Sequence, residues 1–243
     1  MKNNILSAFL FVSLVFAGCT ASQVQQTIDG VLGSTTGAPL TQGEVANGLK
    51  EALTVGISKG ADLASQTDGF YQNSLIRIPF PPEVQRVETR LRQIGLGGEV
   101  DKFILSLNRG AEDAAKSAKP IFISAIRSLT IQDAWVILRG DKNAATEYLR
   151  RTTSDQLTNA FQPVMQTSLD RVNATRYYGE IITRYNQIPL VQKVNPDLEG
   201  YATQKAIDGL FLLIEEEEAN IRENPVARTT ELLRRVFGAQ NRG

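Results

Sequence analysis

The stretch that decides the fold is Leu198–Glu223, with the sequence LEGYATQKAIDGLFLLIEEEEANIRE. Its apolar residues recur three, four or seven positions apart, so they share one face of a helix; they are Ile207, Leu210, Phe211, Ile214 and Ile221. Leu212 and Leu213 add apolar surface on other sides. Because a helix that is apolar over most of its circumference has to be covered by neighbours, this stretch predicts the central helix of a bundle.

Helical periodicity continues on both sides of this stretch. The further predicted helices are 41–66, 83–94, 99–118, 120–129, 131–138, 143–151, 154–185 with a bend at Pro163, and 226–237. The first begins at Thr41, where TQGE predicts a capping box with Glu44. Prolines at 79, 81 and 82 predict an extended segment over 70–82, with strand-like character at 75–78. Since strands do not alternate with helices, the fold class is all-α, a single multi-helix bundle.

The first helix carries a ridge of small residues at four-residue spacing: Gly48, Ala52, Gly56, Gly60 and Ala64. Glycine costs a helix about 1 kcal/mol relative to alanine. Such a ridge allows a second helix to approach closely, and it therefore predicts tight helix packing. A flexible helix is the alternative.

The N-terminus predicts export. Residues 5–17 form an apolar run of 13 residues, shorter than the about 20 that a membrane-spanning helix needs, so residues 1–18 are expected to be a signal peptide. Cys19 follows Ala17-Gly18 as in a bacterial lipobox, although Phe16 stands where leucine is preferred. We expect Cys19 to carry acyl chains such as palmitate, which together give stable membrane anchoring. An ordinary signal peptide that contains a cysteine is the alternative.

The same pattern sets the expected domain organisation. Residues 19–40 are rich in Ser, Thr, Gly and Gln and predict a lipid-anchored tether. Residues 41–238 form the predicted helical domain, and 239–243 the tail. Because Thr20 follows the cysteine and no acidic residue precedes Asp29, the sorting rule of enteric bacteria indicates the outer membrane, facing the periplasm.

Composition excludes several classes of function. The 26 basic and 26 acidic residues cancel, which argues against a nucleic-acid partner, since binding phosphates needs a net basic face. The chain has no histidine, which excludes histidine-based catalysis and histidine-ligated metal or haem. We therefore expect no cofactor and no metal, and the sequence favours a protein that is not an enzyme.

Several long motifs resemble a known family. They are DGFYQNSLIRIPFP, LNRGAEDAA, PIFISAIRSLTIQDAWVILRG, AATEYLRRTT and IDGLFLLIEEEEANIRENPVARTTELLRRVFG. Over roughly residues 44–238 the chain resembles a bacterial family of exported proteins known as domain of unknown function 4197. The resemblance implies export, frequent lipidation and helical structure, and it implies no activity, cofactor or site residue.

The central helix supplies the first candidate site. Glu218 falls inside the apolar stripe of that helix, and a buried carboxylate needs a partner. Arg222 lies one turn further, and Arg228 is a second possible partner. The pattern indicates either a structural ion pair where the helix leaves the core or a polar site for a ligand or partner.

Two further sites are predicted. In the first, Asn108 and Glu112 border the apolar stripe of the helix 99–118. They are predicted to rim a pocket; alternatively, they form only the polar flank of that stripe. Arg109 is spaced to pair with Asp113 on the opposite side. In the second, Arg77 and Phe80 lie on the proline-braced segment, which suits partner recognition at low entropic cost; alternatively, Phe80 fills the core.

Three functions remain open from the sequence. The first is a lipid-anchored periplasmic binding module for an envelope protein or a small ligand. The second is a hydrolase of envelope polysaccharide with Glu112 and Glu218 as acid and base. The third is a carrier of apolar ligands whose cavity is lined by the glycine-ridged helix.

Overall fold

The structure, a computed structural model, describes residues 41–187, 189–190, 193–227 and 234–236. All of them lie in Leu40–Gly243, the second of the two units into which the chain divides. The helices are α1 (Gln42–Ala64), α2 (Gln85–Gln93), α3 (Gly97–Ala115), α4 (Ala118–Arg127), α5 (Ile131–Arg139), α6 (Ala144–Asp170), α7 (Ala174–Asn186) and α8 (Leu198–Glu223). Short 3₁₀ turns occupy Pro82–Val84 and Pro225–Ala227. The described part contains no β-strand, and the all-α prediction is confirmed.

Helix α8 is the centre of the bundle, as its sequence predicts. It packs against α1, α3 and α6, and α7 also contacts it. Buried residues occur along the helix from Leu198 to Ile221. Phe211 on α8 meets Phe122 of α4 edge to face, with ring centroids 5.6 Å apart. The core is therefore built around a helix that is apolar on several sides because several helices cover it.

The small-residue ridge of α1 faces α8. A methyl group at Gly56 would lie 3.1 Å from Cδ1 of Ile221, and one at Gly60 would lie 3.6 Å from the main chain of Leu213. Close packing of a second helix is thus the role of the ridge, and that prediction is confirmed. The ridge does not line a cavity for an apolar ligand at these positions, because α8 fills that space.

The predicted strand at 75–78 is wrong. Residues 65–81, which we call the turn segment, form turns as far as residue 76 and continue as irregular backbone from residue 77. No neighbouring strand is present in the described part to pair with them. Alternate side chains nevertheless point inward, since Ile76, Ile78 and Phe80 are buried while Leu75 and Arg77 are exposed. Alternation therefore reflects burial of one side of the segment, and the backbone groups of Phe70, Tyr71 and Ile78 find partners on α3.

Helix α6 also differs from the prediction, which divided it near residue 152; the predicted bend at Pro163, which lies inside the helix, stays a prediction. The structure has one helix from Ala144 to Asp170. Thr153 and Ser154 donate their hydroxyl hydrogen atoms to carbonyl groups four residues earlier, at 2.7 and 2.6 Å, so they lie inside the helix and do not cap one. The real break comes at Asn173, which has a left-handed φ of 54° and precedes α7.

Candidate functional site

Glu218 of α8 accepts hydrogen bonds from the first turn of α6. Its Oε1 accepts a hydrogen bond from the backbone N–H of Ala145 at 3.0 Å, and its Oε2 accepts from the N–H and the hydroxyl of Thr146, both at 2.8 Å. The first N–H groups of a helix have no partner within the helix. A carboxylate from α8 therefore caps α6 from outside and also complements its positive end.

Arg222 completes this arrangement. Its Nε and Nη2 donate to Oε1 of Glu218 at 3.0 and 2.8 Å. Nη2 also donates to the carbonyl of Ile137, near the end of α5, at 2.9 Å. The pair thus joins α8 to the end of α5 and the start of α6, at the point where the chain turns between them. We call Glu218, Arg222, Ala145 and Thr146 the cap cluster.

The geometry of the cap cluster explains the buried carboxylate in structural terms. The side chains of Glu218 and Arg222 are 5% and 13% exposed. Both carboxylate oxygens accept hydrogen bonds, so Glu218 is a helix cap with a counter-charge. Of the two open interpretations, the ion pair where the helix leaves the core accounts for these contacts. Arg228, the second predicted partner, lies outside the described residues.

Asn108 and Glu112 on α3 hold the turn segment. Oδ1 of Asn108 accepts from the N–H of Ile78, and Nδ2 donates to the carbonyl of the same residue, both at 2.9 Å. Oε1 of Glu112 accepts from the N–H groups of Phe70 and Tyr71 at 3.2 and 3.1 Å. Both α3 side chains are buried. They take the place of a neighbouring strand for the segment, because buried backbone groups need partners.

The predicted pairing of Arg109 is wrong. Arg109 donates to Oε2 of Glu112 and to Oδ1 of Asp68, each at 2.6 Å, whereas Asp113 pairs with Lys116. Hydrogen bonding to Glu112 and then to Asp68 raises the pKa of Arg109, against the effect of burial. Asp68 arrives from the turn segment, 41 residues away in the chain, so helical spacing could not have predicted it.

Arg77 and Phe80 lie on opposite sides of the turn segment. Arg77 is exposed, and its guanidinium carbon lies 4.7 Å from the centre of the Tyr71 ring. Phe80 is buried and packs against Phe103 of α3, with ring centroids 4.9 Å apart. The structure thus bears out the interpretation in which Phe80 fills the core. A role of Arg77 in partner recognition stays a prediction.

Phe80 also borders an apolar cavity that the sequence did not predict. The cavity lies between α2, α3 and α7 and has a volume of about 520 Å³. Its lining is mostly aliphatic and aromatic, and includes Leu91, Leu96, Val100, Phe103, Ala174 and Ile181. Polar groups come from Tyr177, Tyr178 and the pair Glu99–Lys102, whose Oε1 and Nζ are 3.0 Å apart.

The sequence of α7 contained a sign of this cavity. Ala174, Tyr178 and Ile182 make the buried stripe of the helix, yet Tyr177 and Ile181 are also apolar or aromatic and remain exposed. The apolar face is thus wider than packing against α6 and α8 requires. An unusually wide apolar face on a peripheral helix indicates a surface that something else covers.

The proposed acid–base pair gains no support from the geometry. Glu112 serves the turn segment and Glu218 serves the start of α6, and neither carboxylate lines the apolar cavity. Within the described ranges no three His, Cys, Asp or Glu side chains gather as a metal site would require.

Among the described residues no single helix has the length and hydropathy to cross a membrane. One bent pair, Gly97–Arg127 with Ile131–Arg139, meets those criteria by length and composition. Cys19 lies outside the described residues.

Comparison with known proteins gives one match. The family model described as "Protein of unknown function (DUF4197)" matches residues 39–238. Neither a curated protein nor a solved structure matches the chain. The matched region contains the turn segment, the cap cluster and the whole lining of the apolar cavity. Since the family model covers most of the chain, the protein belongs to the DUF4197 family.

Proposed function

We propose that this protein is a lipid-anchored protein of the bacterial envelope that binds an apolar ligand in the cavity between α2, α3 and α7. It acts as a binding module and not as an enzyme. The acyl chains on Cys19 attach it to the outer membrane, on the side that faces the periplasm. The helical domain then binds the ligand.

The observation that carries this proposal is the cavity. Its volume of about 520 Å³ falls within the range of about 300–1,000 Å³ that is usual for small-molecule sites. Like those sites, it is mostly apolar with a few polar groups. Leu96, Val172 and Ile181 at its edge remain between about a third and a half exposed, so a ligand would remove apolar surface from water at roughly 25 cal/mol per Å².

The walls of the cavity are held in place from several directions. Asn108 of α3 holds the turn segment by hydrogen bonds to the N–H and the carbonyl of Ile78. These bonds also fix Phe80, which lies two residues further along the segment. Phe103 packs on Phe80 from α3. A site formed in advance loses little side-chain entropy when a ligand enters. This rigidity supports binding, since the ligand does not have to open the fold.

A dye-binding measurement tests the cavity. The chain 19–243 carrying Cys19→Ser lacks acyl chains that would themselves bind a dye, and it is titrated with the apolar fluorophore N-phenyl-1-naphthylamine. Ile181→Arg places a charge at the cavity edge, where the residue is 38% exposed, and should weaken binding at least about tenfold. The matched control is Val55→Arg on α1, where the residue is 41% exposed and does not line the cavity.

Equal dye binding by both variants and the parent would show that the dye binds elsewhere, and no binding by the parent would refute the proposal. Circular dichroism of both variants checks that the fold survives.

Lipid attachment is tested separately on the native protein. Mass spectrometry of protein extracted from membranes should show a chain that begins at Cys19 with acyl groups attached, and Cys19→Ser should release the protein into the periplasmic fraction. A native protein that is unacylated, or that keeps residues 1–18, would contradict the anchoring proposal and leave the cavity proposal standing.

A further inference from the structure

Exposed apolar side chains surround the opening of the apolar cavity. Four of them also line it: Leu96 before α3, Val172 between α6 and α7, and Tyr177 and Ile181 on α7. Ile94 precedes Leu96 by two residues, is 57% exposed and does not line the cavity. We call these five residues the rim. Because side chains from distant parts of the chain meet at one opening, they form a patch, and such patches mark interaction surfaces.

The rim includes two tight turns. Gly95, between the two rim residues that connect α2 to α3, has a φ of 87°, and Asn173, directly after Val172, has a φ of 54°. Apolar side chains are therefore displayed on both turns. Tyr177 lies beside them, and its ring and hydroxyl suit the boundary between water and lipid. Entry of these side chains into the surface of a bilayer would remove apolar area from water without opening a helix.

The sequence around the rim carries an excess of positive charge. Residues 85–102 and 170–186 hold seven basic and five acidic residues, whereas the whole chain is balanced. Four of these five acids already form ion pairs with basic residues of the same ranges. In contrast, four arginines there have no carboxylate partner within the described part of the chain: Arg86, Arg90, Arg171 and Arg184.

Three of these arginines lie next to the rim. Arg90 is one turn before Ile94, and the N–H of Ile94 donates to its carbonyl at 3.2 Å. Arg171 adjoins Val172 in the chain, and Arg184 lies one turn beyond the last rim residue on α7. An apolar patch bordered by unpaired guanidinium groups matches an anionic bilayer, since acyl chains accommodate the apolar side chains and lipid phosphates bind the arginines.

We propose that the rim is a docking surface for an anionic lipid bilayer. Docking places the opening of the cavity against the lipid, which is also the phase that dissolves an apolar ligand. The proposal goes beyond ligand binding, because it names the surface and the partner that it contacts. On the proposed anchor, the 22 residues 19–40 span at most about 75 Å, so a bilayer always lies within that distance of α1.

Flotation with lipid vesicles tests the docking surface. The chain 19–243 with Cys19→Ser, which has no acyl chains of its own, should float with vesicles of phosphatidylcholine and phosphatidylglycerol, and at least about tenfold more weakly with phosphatidylcholine alone. Ile94→Asp should weaken binding to the anionic vesicles at least about tenfold, because it removes an apolar side chain and adds a negative charge. Val136→Asp on α5 is the matched control, since Val136 is 66% exposed and lies outside the rim; it should float like the parent.

A second pair of variants tests the charge argument. Arg90→Gln combined with Arg171→Gln should weaken binding to anionic vesicles about 10- to 30-fold and reduce its dependence on salt. Arg127→Gln combined with Arg151→Gln removes the same charge from exposed positions away from the rim, and it should bind nearly as the parent does. Equal losses in the two double variants would show that only net charge matters and would overturn the assignment of the surface.

Failure of the docking proposal is distinguishable from failure of the proposed function. Ile94 does not line the cavity, so Ile94→Asp should leave dye binding unchanged, and circular dichroism checks its fold. A parent chain that does not float with anionic vesicles, or equal flotation of the Ile94 and Val136 variants, refutes docking whatever the dye result. A parent that binds no dye but floats refutes the cavity as a ligand site and supports docking. Sedimentation that shows a dimer, lost in Ile94→Asp, in a chain that does not float would assign the rim to a second copy and overturn the proposal.

Discussion

Replacing Glu218 by glutamine tests whether the cap cluster stabilises the fold as its geometry indicates. The carboxylate accepts five hydrogen bonds, three from the start of α6 and two from Arg222. Glutamine keeps the shape of the side chain but offers only one acceptor oxygen. If that oxygen takes the place of Oε1, the amide nitrogen faces the backbone N–H of Thr146, and that donor loses its partner.

The expected cost follows from these contacts. An unpaired buried N–H costs about 1–3 kcal/mol. Arg222, whose side chain is 13% exposed, also loses its counter-charge, and removing one partner of a buried pair is costly. Together we expect Glu218→Gln to lower the free energy of unfolding by about 2–4 kcal/mol, a large part of the about 5–15 kcal/mol of an ordinary domain. With a usual urea slope this lowers the midpoint by about 1 M or more.

The assay is urea unfolding of the chain 19–243 with Cys19→Ser. Far-ultraviolet circular dichroism follows the loss of helix as the urea concentration rises. Glu216→Gln is the matched control, because Glu216 lies on the same helix and is exposed; it should change stability by less than about 0.5 kcal/mol. Adding Arg222→Gln to Glu218→Gln should cost less than the two single changes summed. Equal midpoints for the Glu216 and Glu218 variants would refute the reasoning.

Three further predictions concern the turn segment, the helix contacts and alkaline pH. Asn108→Ala removes the hydrogen bonds to the N–H and the carbonyl of Ile78 and should lower the free energy of unfolding by about 1–3 kcal/mol. The backbone amide of Ile78 should then exchange its hydrogen faster, and unchanged exchange would contradict the role of Asn108 in holding the turn segment. Gly209→Ala should destabilise the protein by about 1–3 kcal/mol, because the new methyl group would come within 2.9 Å of an aromatic ring of the turn segment. Gly179→Ala, with nothing within 4 Å, should stabilise it by up to about 1 kcal/mol, and thermal unfolding that ranks the two alike would refute the packing argument. Since the folded pKa of Tyr178 is raised from 10.0 to about 12, its contribution is complete below about pH 10 and is lost between pH 10 and 12, by about 2–3 kcal/mol. Tyr178→Phe should reduce that loss in urea titrations at alkaline pH, and an unchanged pH profile would exclude this origin.

Helical periodicity predicted some contacts of the candidate sites and not others. The stripe of α8 correctly placed Glu218 in the core, and Arg222 one turn away is its partner, because both facts follow from the geometry of one helix. The partners from elsewhere, Ala145 and Thr146, are 73 and 72 residues distant. Spacing within a helix contains no information about them, and the carboxylate could therefore not be recognised as the cap of another helix.

The apolar cavity was missed for a related reason. Phe80 was identified as a candidate, but its neighbours in the cavity come from α2, α3 and α7. Each helix shows only its own apolar face. Whether two faces meet closely or leave a space between them depends on how the helices cross.

The sequence by itself determined the helical class, the central place of α8 and the close approach of α1, because these follow from hydrophobic period and residue size along one segment. It also carries the predicted lipidation signal, which is local in the chain. Only the tertiary structure decided that Glu218 caps α6, that Asn108 and Glu112 hold the turn segment, and that a cavity opens beside Tyr178. These features join residues far apart in the chain, and their contacts exist only once the helices have packed.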